Sequence, residues 1–130
     1  MNSLFTVGEK YSRKDIYRIL NVPKNEQEGI WNTGYRQYND DFFIFVNIKS
    51  PGRTGHEYGN EFIGDNLQWF SKETHSLNTK TIQQMINPRG NNYIFTREDN
   101  KNIYFTFQGV GKVKKYFDTK PVKIIWEFIK

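Results

Sequence analysis

The run from Asp41 to Ile48 constrains the fold more than any other segment of the chain. Its centre, Phe42-Phe43-Ile44-Phe45-Val46, is apolar at five consecutive positions. Successive side chains of a strand point to opposite faces of a sheet, so a strand here is apolar on both faces. Such a strand needs a cover on each side, and it is therefore predicted to be central in a sheet.

Two helices are predicted beside this strand. Residues 12–20 carry a Ser-x-x-Asp capping pattern followed by apolar residues on one helical face, and a proline follows shortly after them. The second helix is capped by Thr79 or Thr81 and ends near Ile86, before Pro88.

Further strands are predicted where aromatic and β-branched residues cluster, namely at residues 5–11, 67–70, 93–97, 103–108, 111–117 and 122–128. Residues 99–102 are predicted to form a hairpin turn, and residues 24–40 and 50–59 to form loops. The fold class expected from these elements is α+β, with a strongly curved antiparallel sheet or small β-barrel flanked by two helices. With 130 residues, the chain is expected to form a single domain, 1–130.

Composition narrows the possible kinds of site. The chain contains no cysteine, which excludes disulfides and thiolate zinc sites. It shows no signal peptide and no apolar run long enough to span a bilayer, so a cytoplasmic location without membrane contact is expected. Neither glycine-rich segment has the spacing of a nucleotide-binding loop, and no cofactor is expected.

The charge of the chain is unevenly distributed. The net charge is +5, but residues 71–130 carry 11 Lys and Arg against 5 Asp and Glu, a local charge of +6. A basic half of this kind favours a polyanionic partner, most often a nucleic acid.

Large aromatic rings occur among polar residues in two predicted loops and at the end of one predicted strand. They fall in the segments Trp31–Arg36, Arg53–Asn60 and Gln68–Ser76. One explanation is local packing under a long loop. Another is a stacking platform for a base, with Arg and Lys contacting phosphates.

Two further interpretations remain open on the residues alone. Glu57, Glu61 and Asp65 near His56 suggest a carboxylate site of a metal-dependent nuclease subunit, although their spacing matches no recognised ligand pattern. The chain is also compatible with a plain protein-interaction module.

An ordered set of short motifs covers nearly the whole chain. The motifs are Tyr11-Ser-Arg13-Lys-Asp-Ile16, Gly34-Tyr35, the strand Phe43–Ile48, Tyr58-Gly-Asn60-x-Phe62, Leu67-x-Trp69-x-Ser71-Lys72, Ile94-Phe95-x-Arg97 and Tyr104-x-x-Phe107-x-Gly109. This set resembles the small SRA/PUA-like domain at the end of type IV, modification-dependent restriction helicase–nucleases and at the N-terminus of some HNH restriction endonucleases.

The resemblance implies a DNA-binding module without catalytic residues of its own. Such a module recognises modified cytosine, 5-methyl or 5-hydroxymethyl, by flipping the base into an aromatic pocket. Its partners would be double-stranded DNA carrying modified cytosine and a nuclease or helicase effector domain, in restriction of foreign DNA and phage defence. An RNA-binding PUA-like domain is the related alternative.

Specific residues are assigned to this function as expectations. The base pocket is expected to consist of Trp31, Tyr35, Tyr58, Asn60, Trp69 and Ser71. The phosphate contacts are expected from Arg13, Arg36, Arg53, Lys72, His75, Lys112, Lys114 and Lys115.

Overall fold

The computed structural model describes residues 4–48 and 59–129, and these form eight strands and two α-helices. The strands are β1 (Lys10–Ser12), β2 (Tyr35–Tyr38), β3 (Asp41–Asn47), β4 (Glu61–Ile63), β5 (Asn66–Phe70), β6 (Asn92–Arg97), β7 (Tyr104–Phe117) and β8 (Lys123–Phe128). The helices are α1 (Arg13–Leu20) and α2 (Lys80–Ile86). In this part of the chain, no helix has the length and apolar character needed to cross a membrane.

The eight strands belong to one sheet. Its order is β2-β3-β6-β7-β8-β5-β4, and β1 pairs with β7 beside this path. Strand β3 pairs with β6 in parallel, whereas the other pairs are antiparallel. The sheet is therefore mixed rather than wholly antiparallel, because the chain leaves β3, forms β4, β5 and α2, and returns to the side of β3.

Strand β7 is 14 residues long and carries the curvature of the sheet. Its pairing shifts register at Ile94/Phe95 on β6 and between Val113 and Lys115 on β7 itself. Gly109 lies between the two irregularities with a φ of +132°, which L side chains rarely adopt. Bulges of this kind bend a strand and increase its twist, so the two halves of β7 belong to differently oriented parts of the sheet.

The curvature brings distant strands into contact. The rings of Tyr35 on β2 and Trp69 on β5 lie 5.4 Å apart, although four strands separate β2 from β5 in the sheet order. The sheet thus curls into a small barrel, and the fold class expected from the sequence is confirmed.

Two hydrophobic cores lie on the two faces of this sheet. The inner core fills the barrel, and α2 contributes Ile82 and Met85 to it. The outer core lies beneath α1, which contributes Ile16 and Tyr17. Strand β3 faces both cores, because alternate residues of its five-residue apolar run belong to each one, and its predicted central position is confirmed.

Both predicted helices are present. Ser12 caps α1, since its hydroxyl accepts from Asp15 N at 3.1 Å while the Asp15 carboxylate accepts from Ser12 N at 2.8 Å. Thr79 stands at the N-cap of α2, which ends at Ile86. The hairpin turn predicted at residues 99–102 connects β6 to β7.

Some predicted strand boundaries were wrong. The strand expected at residues 5–11 is limited to Lys10–Ser12. The residues before it form a turn, which is closed by a hydrogen bond from Glu9 N to Thr6 O. The strands expected at residues 103–108 and 111–117 are one strand, β7, because the bulges bend it without interrupting its pairing.

Two strands lie where the sequence predicted none. Strand β2 falls within the predicted loop 24–40 and forms a two-residue hairpin with β3 through Asn39 and Asp40, both with positive φ. Strand β4 pairs with β5 through Gly64 and Asp65. Asn, Asp and Gly at such positions are typical of tight hairpin turns, so this signal was present in the sequence.

Candidate nucleic-acid interface

A groove of about 330 Å³ opens at one end of the barrel. Helix α2 lies at the other end of β6, where Asn92 Nδ2 donates to Met85 O at 3.2 Å. The groove is lined by Lys10, Ile48, Phe62, Thr96, Arg97, Glu98, Asp99, Asn102, Tyr104, Thr106 and Gln108. Its volume falls near the lower end of the range, from about 300 Å³, that is usual for small-molecule sites.

The groove combines exposed rings with polar side chains. Phe62 on β4 is 41% exposed and Tyr104 on β7 is 46% exposed. Gln108 Nε2 donates to Thr96 Oγ1 at 2.8 Å, which orients the Gln108 amide on the sheet. Rings of this exposure provide stacking surfaces, and ordered polar groups provide hydrogen bonds to a base edge.

Two arginines pack on the ring of Phe105, and one of them also lines the groove. Arg97 is part of its lining, and the Arg97 guanidinium carbon lies 4.3 Å from the centre of the Phe105 ring. Arg13 packs on the same ring at 5.1 Å. Arg13 was a predicted phosphate contact, whereas Arg97 was not.

Five of the predicted site residues meet where β2 approaches the end of β5. Tyr35 lies between Trp69 and His75, with ring centres 5.4 Å and 5.5 Å away, and its hydroxyl is hydrogen-bonded to His75 Nδ1. Lys72 Nζ lies 4.7 Å from the centre of the Tyr35 ring, and Lys72 N donates to the Tyr35 hydroxyl at 3.2 Å. Ser71 precedes Lys72, and its hydroxyl accepts from Val122 N at 2.9 Å. We call Tyr35, Trp69, Lys72 and His75 the tyrosine cluster.

Burial perturbs the ionisable groups of the tyrosine cluster. It raises the pKa of Tyr35 to about 12, so the hydroxyl keeps its proton at neutral pH. Burial, followed by the charge of Lys72, lowers the pKa of His75. Burial also lowers the pKa of Lys72. The lowered pKa favours the neutral form of His75 at pH 7, and the tautomer of the imidazole decides which group donates in its hydrogen bond with Tyr35.

The rings of this cluster are packed rather than open to solvent. Tyr35 and Trp69 are 4% and 3% exposed, and both belong to the inner core. Trp69 was expected in the base pocket, yet its strand lies inside the sheet, between β4 and β8, and its ring faces the inner core. Ser71 is also buried, and its hydroxyl bonds to backbone groups.

Asn60 has a local structural role at the start of β4. Its Oδ1 accepts from Phe70 N at 2.9 Å, and its Nδ2 donates to Asn47 O at 3.4 Å. It therefore ties the segment before β4 to strands β5 and β3.

Trp31 lies apart from the other predicted pocket residues. It is fully buried in the outer core, and its indole N–H donates to Glu26 O at 3.1 Å. Arg36 packs over its ring at 5.8 Å. The three described rings expected to form one pocket are thus divided between the two cores, with Tyr35 and Trp69 in the inner core and Trp31 in the outer core.

Three predicted phosphate-binding lysines lie on the far half of β7. Lys112, Lys114 and Lys115 are exposed. Beyond Gly111, β7 pairs only with β8 among the described strands. We call this half of β7, residues 112–117, the lysine edge.

Two predicted site residues, Tyr58 and Arg53, fall outside the described residues, as do His56 and Glu57 of the alternative nuclease site. Glu61 and Asp65 are exposed. In residues 4–48 and 59–129, no group of three His, Asp or Glu side chains is placed to hold a metal ion.

Sequence reasoning missed Phe62, Tyr104 and Gln108. A signal was available, because Tyr104, Thr106 and Gln108 alternate with Phe105 and Phe107, which indicates one polar and one apolar face of a strand. Phe62 and Tyr104 also belong to the short motifs that carry the family resemblance.

Comparison with solved structures defines the fold class. The chain superposes with a TM-score of 0.52 and 18% identity on the crystal structure of Arabidopsis thaliana SUVH6 in complex with SAM. The match covers 96% of this chain and 26% of the SUVH6 chain, so this chain spans about a quarter of that protein's length. At this identity the likeness establishes a shared, SRA-like fold.

Comparison with family models assigns the chain more narrowly. Residues 5–128 match DUF3427, described as a domain of unknown function, and the chain belongs to this family. No curated protein was found to match its sequence.

Proposed function

We propose that this chain is a DNA-binding module that recognises 5-methylcytosine or 5-hydroxymethylcytosine in duplex DNA by flipping the base into the groove. The observation that carries the proposal is the pair of half-exposed rings, Phe62 and Tyr104, beside polar side chains at the open end of an SRA-like barrel. The resemblance adds the biological setting, in which the module directs a nuclease or helicase effector during restriction of foreign DNA.

The chemistry of the groove suits a flipped cytosine. Phe62 and Tyr104 offer ring faces, and stacking contributes about 1–3 kcal/mol per base, which offsets the few kcal/mol of unstacking. The Gln108 amide oxygen and the Asp99 carboxylate are acceptors of the kind that bind the cytosine N4 amino group. A buried 5-methyl group adds about 0.8 kcal/mol, which favours the modified base.

The residues that the sequence predicted as the base pocket do not contact the base in this proposal. Tyr35, Trp69 and Ser71 are buried in their packed arrangement, so a base reaches them only if that packing opens. We therefore place the base against Phe62 and Tyr104. Stacking on Tyr35 or Trp69 stays a prediction that the same binding measurements test.

A binding titration tests the proposal. Duplexes carrying one cytosine, 5-methylcytosine or 5-hydroxymethylcytosine at the same position are compared, with 2-aminopurine next to it to report unstacking. We expect tighter binding and a fluorescence rise with a modified duplex. Phe62→Ala and Tyr104→Ala should each lower its affinity by about 1–3 kcal/mol.

Tyr116→Ala is the matched control. Tyr116 lies on the same strand as Tyr104 and is 50% exposed, but it does not line the groove. Equal losses for Tyr104→Ala and Tyr116→Ala would contradict the groove as the base site. Equal affinity for plain and modified duplexes would contradict modified-base recognition, and tighter binding to a matched RNA would support an RNA-binding PUA-like domain.

A further inference from the structure

We propose that Arg13 and Arg97 together form a phosphate-binding site at the rim of the groove. The assignment of that phosphate to the DNA backbone rests on the proposed function, whereas the anion site itself does not. The two arginines come from the start of α1 and the end of β6, and neither element pairs with the other.

The two guanidinium groups share one aromatic support. The guanidinium carbons of Arg97 and Arg13 lie 4.3 Å and 5.1 Å from the centre of the buried Phe105 ring. Arg13 also packs on Phe45 at 4.7 Å. Ring contacts of this kind hold a guanidinium in place and leave its N–H groups free to bind at its edges.

The described hydrogen bonds of these two cations go to neutral acceptors. Arg13 Nε donates to Trp31 O at 2.8 Å, and Arg97 Nε donates to Asn47 Oδ1 at 2.7 Å. The Arg18–Asp15 ion pair involves neither of them. The two guanidinium charges therefore repel each other, and at Arg97 this effect exceeds the opposing effect of the Asp99 carboxylate.

The perturbed pKa values agree with this arrangement. Burial lowers the pKa of Arg13. Burial, and after it the charge of Arg13, lowers the pKa of Arg97, while Asp99 acts in the opposite direction. A bound anion would relieve both effects.

The remaining donors match a phosphate group. Each guanidinium has five N–H donors, and the described bonds use one on Arg13 and two on Arg97. Planar guanidinium groups bind phosphate oxygens in pairs. Because Arg97 also lines the groove together with Phe62 and Tyr104, this site is continuous with the surface proposed to bind the base.

The proposed site also gives a role to the arginines of two sequence motifs. Arg13 belongs to the motif Tyr11–Ile16 and Arg97 to the motif Ile94–Arg97. The fold brings these two basic positions together at one point.

Two measurements on the full chain test the site. The first follows the Nε–H resonances of Arg13, Arg97 and Arg18 by NMR during titration with inorganic phosphate. We expect the Arg13 and Arg97 resonances to shift together, with one affinity. Arg18, on the same helix but 74% exposed and ion-paired, should not follow them.

The second measurement is the salt dependence of binding to an unmodified duplex. Each phosphate contact contributes about −0.9 to the slope of log affinity against log salt. Arg13→Gln and Arg97→Gln should each make the slope shallower by up to that amount, and Arg18→Gln should leave it unchanged. If Arg13→Gln fails to fold, Arg13→Lys replaces it, because lysine keeps a cation over the Phe45 and Phe105 rings but lacks the paired guanidinium N–H donors. The phosphate-induced shift of the Arg97 resonance then reports the loss of those donors.

The outcomes separate this inference from the proposed function. Absent phosphate shifts together with unchanged slopes in folded variants would overturn the site and leave the arginines as packing residues. Phosphate shifts with unchanged slopes would support a site for a free phosphate-bearing ligand instead of the DNA backbone. Failure to prefer modified cytosine, with both arginine effects present, would reject the base reader and keep the anion site.

Discussion

Tyr35 and His75 form a hydrogen bond inside the tyrosine cluster. The Tyr35 hydroxyl accepts from Lys72 N and is hydrogen-bonded to His75 Nδ1. Burial and the charge of Lys72 lower the pKa of His75. The folded state thus resists protonation of His75, whereas the unfolded chain takes up that proton near the ordinary pKa of about 6.5.

This residue gives a pH prediction with a defined sign. Because the unfolded state binds the proton more readily, stability should fall as pH is lowered from 7.5 towards 5. Thermal melts of the parent and of His75→Gln measure the effect. The loss between these pH values should be smaller in His75→Gln than in the parent. An identical pH dependence in the two proteins would contradict the role of the tyrosine cluster.

A second residue-scale prediction separates core rings from binding rings. Trp69 is 3% exposed and contacts Tyr35 and Trp126, so Trp69→Ala should destabilise the protein by about 3–5 kcal/mol. Phe62 is 41% exposed, so Phe62→Ala should cost much less stability and instead lower the affinity for modified DNA. Urea denaturation beside each titration measures both effects. A stable Trp69→Ala protein that has lost only DNA affinity would restore Trp69 to the base pocket.

At the scale of elements, the lysine edge has two physical explanations. Exposed lysines on an unpaired strand edge discourage pairing with another chain. They are also placed to follow a phosphate backbone, in the half of the chain that carries a net charge of +6. The residues of this edge belong to the same strand as the groove residues Tyr104 and Gln108, so one strand connects the two surfaces.

Salt dependence distinguishes the two explanations of the lysine edge. If Lys114 and Lys115 contact phosphates, each substitution by Ala should make the slope of log affinity against log salt shallower by about 0.9, equally for plain and modified duplexes. Lys24→Ala, which changes an exposed lysine in the less basic half, is the control. Unchanged slopes accompanied by dimerisation or aggregation of the lysine variants would assign the edge to protection against strand pairing.

The elements themselves were largely predictable where their signals are local. The cap of α1 depends on Ser12 and Asp15, three residues apart, and β3 is defined by one apolar run. The hairpin partners β2 and β4 were missed because they are only four and three residues long, although the Asn39-Asp40 and Gly64-Asp65 turns were visible.

At the scale of the whole molecule, the proposed role is binding rather than catalysis. A nuclease site built on Glu57, Glu61 and Asp65 is the competing interpretation. Glu61 and Asp65 are exposed, and the described part of the chain has no group of three metal-binding side chains.

Incubation with DNA tests this choice directly. We expect the purified chain to leave plain and modified duplexes intact in the presence of Mg²⁺ or Mn²⁺, as judged by gel electrophoresis. The metal-chelated reaction is the control. Cleavage that requires the metal and disappears in Glu61→Gln would replace the binding module with a nuclease.

Properties that depend on neighbouring residues or on composition could be predicted from the amino-acid sequence alone. These are the central strand, the two helices, the hairpin at residues 99–102, the absence of disulfides and the basic second half. Backbone preference and side-chain alternation act over a few residues, so they can be recognised without the fold.

Which rings are buried, and which cations lie close together, depends on the tertiary fold. The bend of β7 closes the barrel, which buries Trp69 against Tyr35 and leaves Phe62 and Tyr104 at its open end. Arg13 and Arg97 are far apart in the chain and share one ring only because α1 begins where β6 ends. Contacts of this kind depend on the path of the whole sheet, which no local pattern of residues specifies.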